Sequence, residues 1–145
     1  MTWFKSRRKI LLFIFILTGI AGCWDYSVDL GQGYKFIRTN ADNRYIFYGQ
    51  SETLKSVLIY SDIKGYESNR GYITGFRLLI ADREKHMGLD LQQGEGYFLI
   101  DKISHDVITG LSWNELLGLA AEKGITDLVE DLGEIHLKYP SFDAS

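Results

Sequence analysis

Cysteine occurs once in the 145 residues, at position 23. One cysteine cannot close an intrachain disulfide, build a cysteine zinc site or hold an iron–sulfur cluster, and it leaves the chain beyond it without a thiol catalyst. Stability must then come from packing and hydrogen bonds. Long apolar runs are also missing: 13 residues (10–22) separate Lys9 from Cys23, against about 20 for a helix that spans a hydrocarbon core. Acidic residues are absent from the first 22 positions, which hold Lys5, Arg7, Arg8 and Lys9. From Cys23 onward 12 bases face 19 acids, so the whole-chain charge of −3 becomes −7 for the body. That sign disfavours nucleic acid as a partner. No nucleophile elbow, zinc-protease helix or phosphate-binding glycine loop followed by a helix is present, and no enzymatic activity is expected.

What is there divides the chain in two. Lys5-Ser6-Arg7-Arg8-Lys9 is followed by the apolar run Ile10 to Leu17, and Thr18-Gly19-Ile20-Ala21-Gly22 leads to Cys23. A basic start, an apolar middle and small residues before a break are the three parts of a secretory signal. The expected organisation is a cleaved leader over 1–22 and one globular domain over 23–145.

Ile20-Ala21-Gly22-Cys23 resembles the lipobox of bacterial lipoproteins. The resemblance implies cleavage between Gly22 and Cys23, a diacylglyceryl group on the Cys23 thiol and an acyl chain on its new amine, with no other cofactor. Two or three acyl chains hold a protein stably where one does so only marginally. Ser6-Arg7-Arg8-Lys9 is partly similar to a twin-arginine export signal, but the very apolar run fits the general secretory route better. Trp24, not aspartate, follows the cysteine. By resemblance to enteric sorting this implies the outer membrane facing the periplasm, or the outer face of the plasma membrane in a host with a single membrane. The segment from Cys23 to Tyr26 reaches about 14 Å at most, so the domain is expected to sit close to the bilayer.

The body starts with a period of two. Strands are expected at Asp25 to Leu30, Tyr34 to Thr39, Arg44 to Tyr48, Val57 to Tyr60, Tyr72 to Ile80 and Tyr97 to Ile100, with Val107-Ile108 returning beside the last. Turns fall at Asn40 to Asn43 and Glu67 to Gly71, and Gly31-Gln32-Gly33 and Gly94-Glu95-Gly96 read as turns at strand starts. Residues 81–95 read as a loop. Ser112-Trp113-Asn114-Glu115 fits a capping box that opens a helix with a stripe of Trp113, Leu116, Leu117, Ala120 and Ala121, stopped at Gly124. Thr126 caps a second short helix from Asp127 to Leu132. Ile135, Leu137 and Tyr139 alternate with polar residues as a final strand before Pro140. Strands first and helices late predict an α+β fold: a mainly antiparallel sheet of about five to seven short strands, with one or two C-terminal helices packed on it.

The candidate sites are few. His86, His105 and His136 lie in no metal or triad motif and read as solvated side chains. Asp82, Glu84, Asp90 and Glu95 share one stretch, but Arg83, Lys85 and His86 interrupt the carboxylate spacing that calcium requires. All nine tyrosines lie in the body, and Tyr suits protein contact as well as strands. Tyr66 beside the expected turn, with Arg70, is the first candidate for partner binding. Eight acids against two bases from Ser104 onward make a local charge of −6. Glu122, Glu130 and Asp131 are therefore candidates for steering a basic partner.

The body also resembles small bacterial lipoproteins in Asp25-Tyr26, Gly33-Tyr34 leading to Arg38-Thr39-Asn40, Tyr97-Phe98-Leu99-Ile100-Asp101, Gly110-Leu111-Ser112 and Gly124-Ile125. That resemblance implies location and no activity. The expected function is a membrane-anchored, non-catalytic module that binds a protein partner in the envelope, of the immunity or inhibitor type against an envelope-acting toxin or hydrolase. The alternatives are a structural or assembly accessory of the envelope and a hydrolase whose carboxylates converge only in the fold.

Overall fold

The computed structural model describes residues 26–39, 43–50, 57–60, 62–78 and 93–138. The leader, the lipobox with Gly22 and Cys23, His86, Asp82, Glu84, Asp90 and Tyr139 lie outside them. Among the described residues no helix is long and apolar enough to cross a membrane.

Among the described residues, eight strands form two antiparallel sheets. The first holds β1 (Tyr26–Gly31), β2 (Tyr34–Arg38), β3 (Arg44–Tyr48) and β4 (Val57–Ile59) in that order. The second holds β5 (Ile63–Ser68), β6 (Tyr72–Arg77), β7 (Gly96–Asp101) and β8 (Val107–Leu111). Alternation sets the inner face of the first sheet, where Tyr34 opposes Tyr48 and Phe36 opposes Ile46 across β2 and β3. The β1–β2 hairpin turns on Gly31, Gln32 and Gly33, all at positive φ (82°, 55° and 84°).

Leu30, Tyr34, Phe36, Ile46 and Ile59 from the first sheet pack with Ile63, Ile73, Phe98 and Ile100 from the second. The opposite face of the second sheet, through Phe76, Tyr97 and Leu99, packs on Leu116, Ala120, Ile125, Leu128, Val129 and Leu132 of the C-terminal segment. The second sheet is thus the middle of three layers. This is why Tyr97-Phe98-Leu99-Ile100 is apolar without alternation: Phe98 and Ile100 face one core, Tyr97 and Leu99 the other. Each such side chain, fully buried, contributes roughly 1.5–3 kcal/mol.

Helix α1 (Trp113–Lys123) opens with the expected capping box: Glu115 N–H donates to Ser112 Oγ at 3.3 Å and Ser112 N–H to Glu115 Oε2 at 2.8 Å. It ends at Gly124, which is left-handed (φ 68°), and Ile125 N–H closes back on Ala120 O at 2.9 Å. The buried stripe is narrower than the spacing implies. Leu116 and Ala120 are buried, whereas Leu117 is 37% exposed and Ala121 is exposed.

Several expectations are corrected. The described residues hold eight strands in two sheets, where one sheet of about five to seven was expected. β5 escaped notice because Lys64 and Gly65 interrupt the alternation at a register shift between Ile63 and Gly65. It runs to Ser68, so the turn begins at Asn69 and Tyr66 lies inside a strand. Helix α2 (Thr126–Glu130) starts after Ile125, with no side-chain cap from Thr126. The final strand is instead a helix, α3 (Gly133–Lys138). Ile135 and His136 donate their N–H groups to Leu132 O at 3.0 and 3.2 Å, which continues the preceding turn locally. Ile135 then seats against Gly65 of β5, where a Cβ would collide with it.

Candidate functional site

The sequence candidates fall in two places. Tyr66 points between the sheets, its ring 4.4 Å from that of Phe36. Burial, then nearby Tyr26 and Glu67, raise its phenol pKa. It is mainly a packing residue. Arg70 is exposed in the β5–β6 turn, and its carbonyl accepts from Gln32 Nε2 at 2.7 Å. Glu122, Glu130 and Asp131 are exposed on the helical layer, across the second sheet from the Tyr66 ring. The structure therefore separates the candidates into a loop group and a helix group.

The loop group belongs to one end of the sandwich, where the β1–β2, β5–β6 and β7–β8 turns meet. Lys102, 2% exposed, holds them together. Its ammonium donates to Leu30 O, Ser68 Oγ and Asn69 O, linking the ends of β1 and β5 to β7. Burial lowers its pKa, and Asp29 partly opposes this. Beside it Asp101 Oδ1 accepts from the N–H groups of Ile103 and Ser104 at 2.9 and 3.2 Å. These hydrogen bonds, Ile103 first, hold the Asp101 carboxyl below its usual range against a smaller opposing effect of desolvation.

His105 is exposed, as a solvated side chain would be, yet it also has fixed neighbours. Left-handed at φ 65°, it places Nδ1 2.6 Å from the Tyr34 hydroxyl, and Tyr48 packs 4.7 Å from its ring. Burial, then Tyr48 and Asp101, raise the pKa of the Tyr34 phenol, so it stays a hydroxyl; whether it donates to Nδ1 or accepts from it follows the imidazole tautomer. Around this pair Tyr48 is 40% and Ile103 76% exposed. Neither was singled out from the sequence; the one available signal was an aliphatic residue, Ile103, in the polar stretch between the strands expected at Tyr97 to Ile100 and Val107-Ile108. His136 does depart from the expectation of a solvated side chain: half-buried, it stacks on Trp113 at 4.7 Å and 10°.

The helix group is different in kind. Glu122, Asp127, Glu130 and Asp131 are exposed, and their side chains make no hydrogen bond or ion pair among the described residues. Lys123, which follows Glu122 in sequence, reaches instead over the Tyr72 ring at 5.7 Å. Asp131 comes near enough to β5 to affect Glu67, whose carboxyl pKa is raised by burial and then by Asp131. Like charges are thus held close on a solvated face. No group of three or more His, Cys, Asp or Glu side chains among the described residues is arranged to hold a metal ion. No family model matches the chain, and no curated protein or solved structure matches it.

Proposed function

We propose that the chain is a bacterial lipoprotein, cleaved before Cys23 and lipidated there, whose domain binds a basic protein partner in the envelope through its acidic helical layer. The immunity or inhibitor type is the specific version, and the binding is non-catalytic. The supporting observation is the exposed set Glu122, Asp127, Glu130 and Asp131, whose side chains no described internal contact neutralises and of which Asp131 lies close enough to Glu67 to add to the effect of burial on its carboxyl. A fold gains nothing from such crowding, whereas a basic partner is steered and held by it.

The test uses full-length protein purified from membranes in non-ionic detergent. Glu122→Lys, Glu130→Lys and Asp131→Lys together should weaken capture of the partner at least about tenfold and flatten its salt dependence, as rim charges act mainly through steering. Capture unchanged by all three reversals would sink the acidic-surface reading. Cys23→Ala should abolish acyl mass and membrane retention while leaving capture intact; retention through Cys23→Ala would sink the lipid anchor.

A further inference from the structure

Opposite the Lys102 end, a cavity of about 420 Å³ opens between β3, β5 and α3, lined by Arg44, Lys64, Glu134, Ile135 and Lys138. Three of the 12 bases of an acidic body converge there. We propose that this cavity is a phosphate site, and that it takes the headgroup phosphate of an anionic lipid in the membrane that carries the anchor.

Three observations support the chemistry. Arg44 Nη1 donates to Ile63 O at 3.3 Å, a long bond, and Arg44 Nε is buried with no partner among the described residues. The guanidinium is therefore positioned by the fold but not consumed by it, and it offers the planar fork that matches phosphate oxygens. Lys64 pairs with Asp62, which is 3% exposed, and this fixes the ammonium at the cavity wall. Among the described residues Glu134 is the one carboxylate of the lining, against three cations; with Asp62 counted, these residues remain net positive.

Position supports the source. Tyr26 opposes Arg38 across β1 and β2, and Arg38 opposes Arg44 across β2 and β3. Arg44 is thus two strands, about 10 Å, from Tyr26, and Tyr26 follows Cys23 by three residues. On the lipoprotein reading, on which the headgroup assignment rests, the cavity lies at the membrane-proximal end, and an anionic headgroup would orient the domain on its short tether.

The experiment has a soluble arm and a membrane arm, both with full-length protein. Inorganic phosphate titrated in non-ionic detergent should slow amide hydrogen exchange in residues 44–48, 63–66 and 134–138. Arg44→Gln and Lys64→Gln should each weaken this at least about tenfold, the loss of one charge-assisted bond. Lys138→Gln, at an exposed helix end, should weaken it without disturbing the fold. In phosphatidylcholine vesicles, adding phosphatidylglycerol should protect the same segments and remove the response to phosphate. An undiminished phosphate response in those vesicles would support the site and overturn the headgroup as its source. No protection in either arm, or protection unchanged in all three variants, overturns the site. A full-length mass without acyl groups defeats the lipoprotein reading alone, since the detergent arm is read independently of it.

Discussion

Cations serve opposite purposes at the two ends of this sandwich. At one end Lys102 is buried, and its ammonium is taken up by Leu30 O, Ser68 Oγ and Asn69 O. At the other, Arg44 has one long bond to Ile63 O and lines a cavity with Lys64 and Lys138. A buried ammonium surrounded by two carbonyls and a hydroxyl is a structural tie, because every donor already has its acceptor. A guanidinium at a cavity wall with donors remaining is a receptor. Charge alone does not separate the two; the local supply of acceptors does.

The largest test of the comparison is Lys102→Met. It leaves Leu30 O, Ser68 Oγ and Asn69 O without their donor, and a loss of about 3 kcal/mol in denaturant unfolding is expected, since orphaned buried groups cost about 1–3 kcal/mol each. A loss below about 1 kcal/mol would mean that Lys102 ties nothing. At the same end, Tyr34→Phe removes the hydroxyl from His105 while keeping the ring packed on Tyr48. About 1 kcal/mol is expected, and no loss at all would reduce the pair to a contact.

Glu67 sharpens the contrast between structural and functional charge. Its carboxyl titrates near 4.5 when unfolded and higher in the fold. Between those values the native state binds more protons, so stability falls as pH rises through that window and the cost persists above it. Glu67→Gln should be more stable than the native chain at neutral pH, by less than about 1 kcal/mol because the site is partly solvated. The gain should disappear below pH 4.5. A gain that persists there would assign it to packing. The smallest effect is expected from Arg44→Gln: under about 0.5 kcal/mol in unfolding, because a lone long bond contributes little. A loss as large as that of Lys102→Met would make Arg44 a structural tie as well.

Local signals in the chain translated into structure where a short stretch holds the whole interaction. Ser112 and Glu115 are three residues apart and cap each other; Gly124 stops the helix; Tyr34 to Arg38 and Arg44 to Tyr48 pair in the expected alternation. The misreadings came where distant residues decide. β5 was hidden by Lys64 and Gly65, yet Gly65 is small because Ile135, 70 residues on, seats against it. That same contact, with Leu132 O accepting from Ile135 and His136, turns an alternating segment into a helix. The cavity brings together Arg44, Lys64 and Lys138 from three elements, so no motif could announce it.

By itself, the sequence determined the acidic body of net −7, its lack of disulfides, the α+β class and the capped first helix, since these depend on composition or on neighbours within a few residues. Only the tertiary structure decided that the strands split into two sheets, that Lys102 becomes a tie, and that Arg44 faces a cavity. Those outcomes depend on which groups share a small volume, and that is set by packing between residues far apart in the chain.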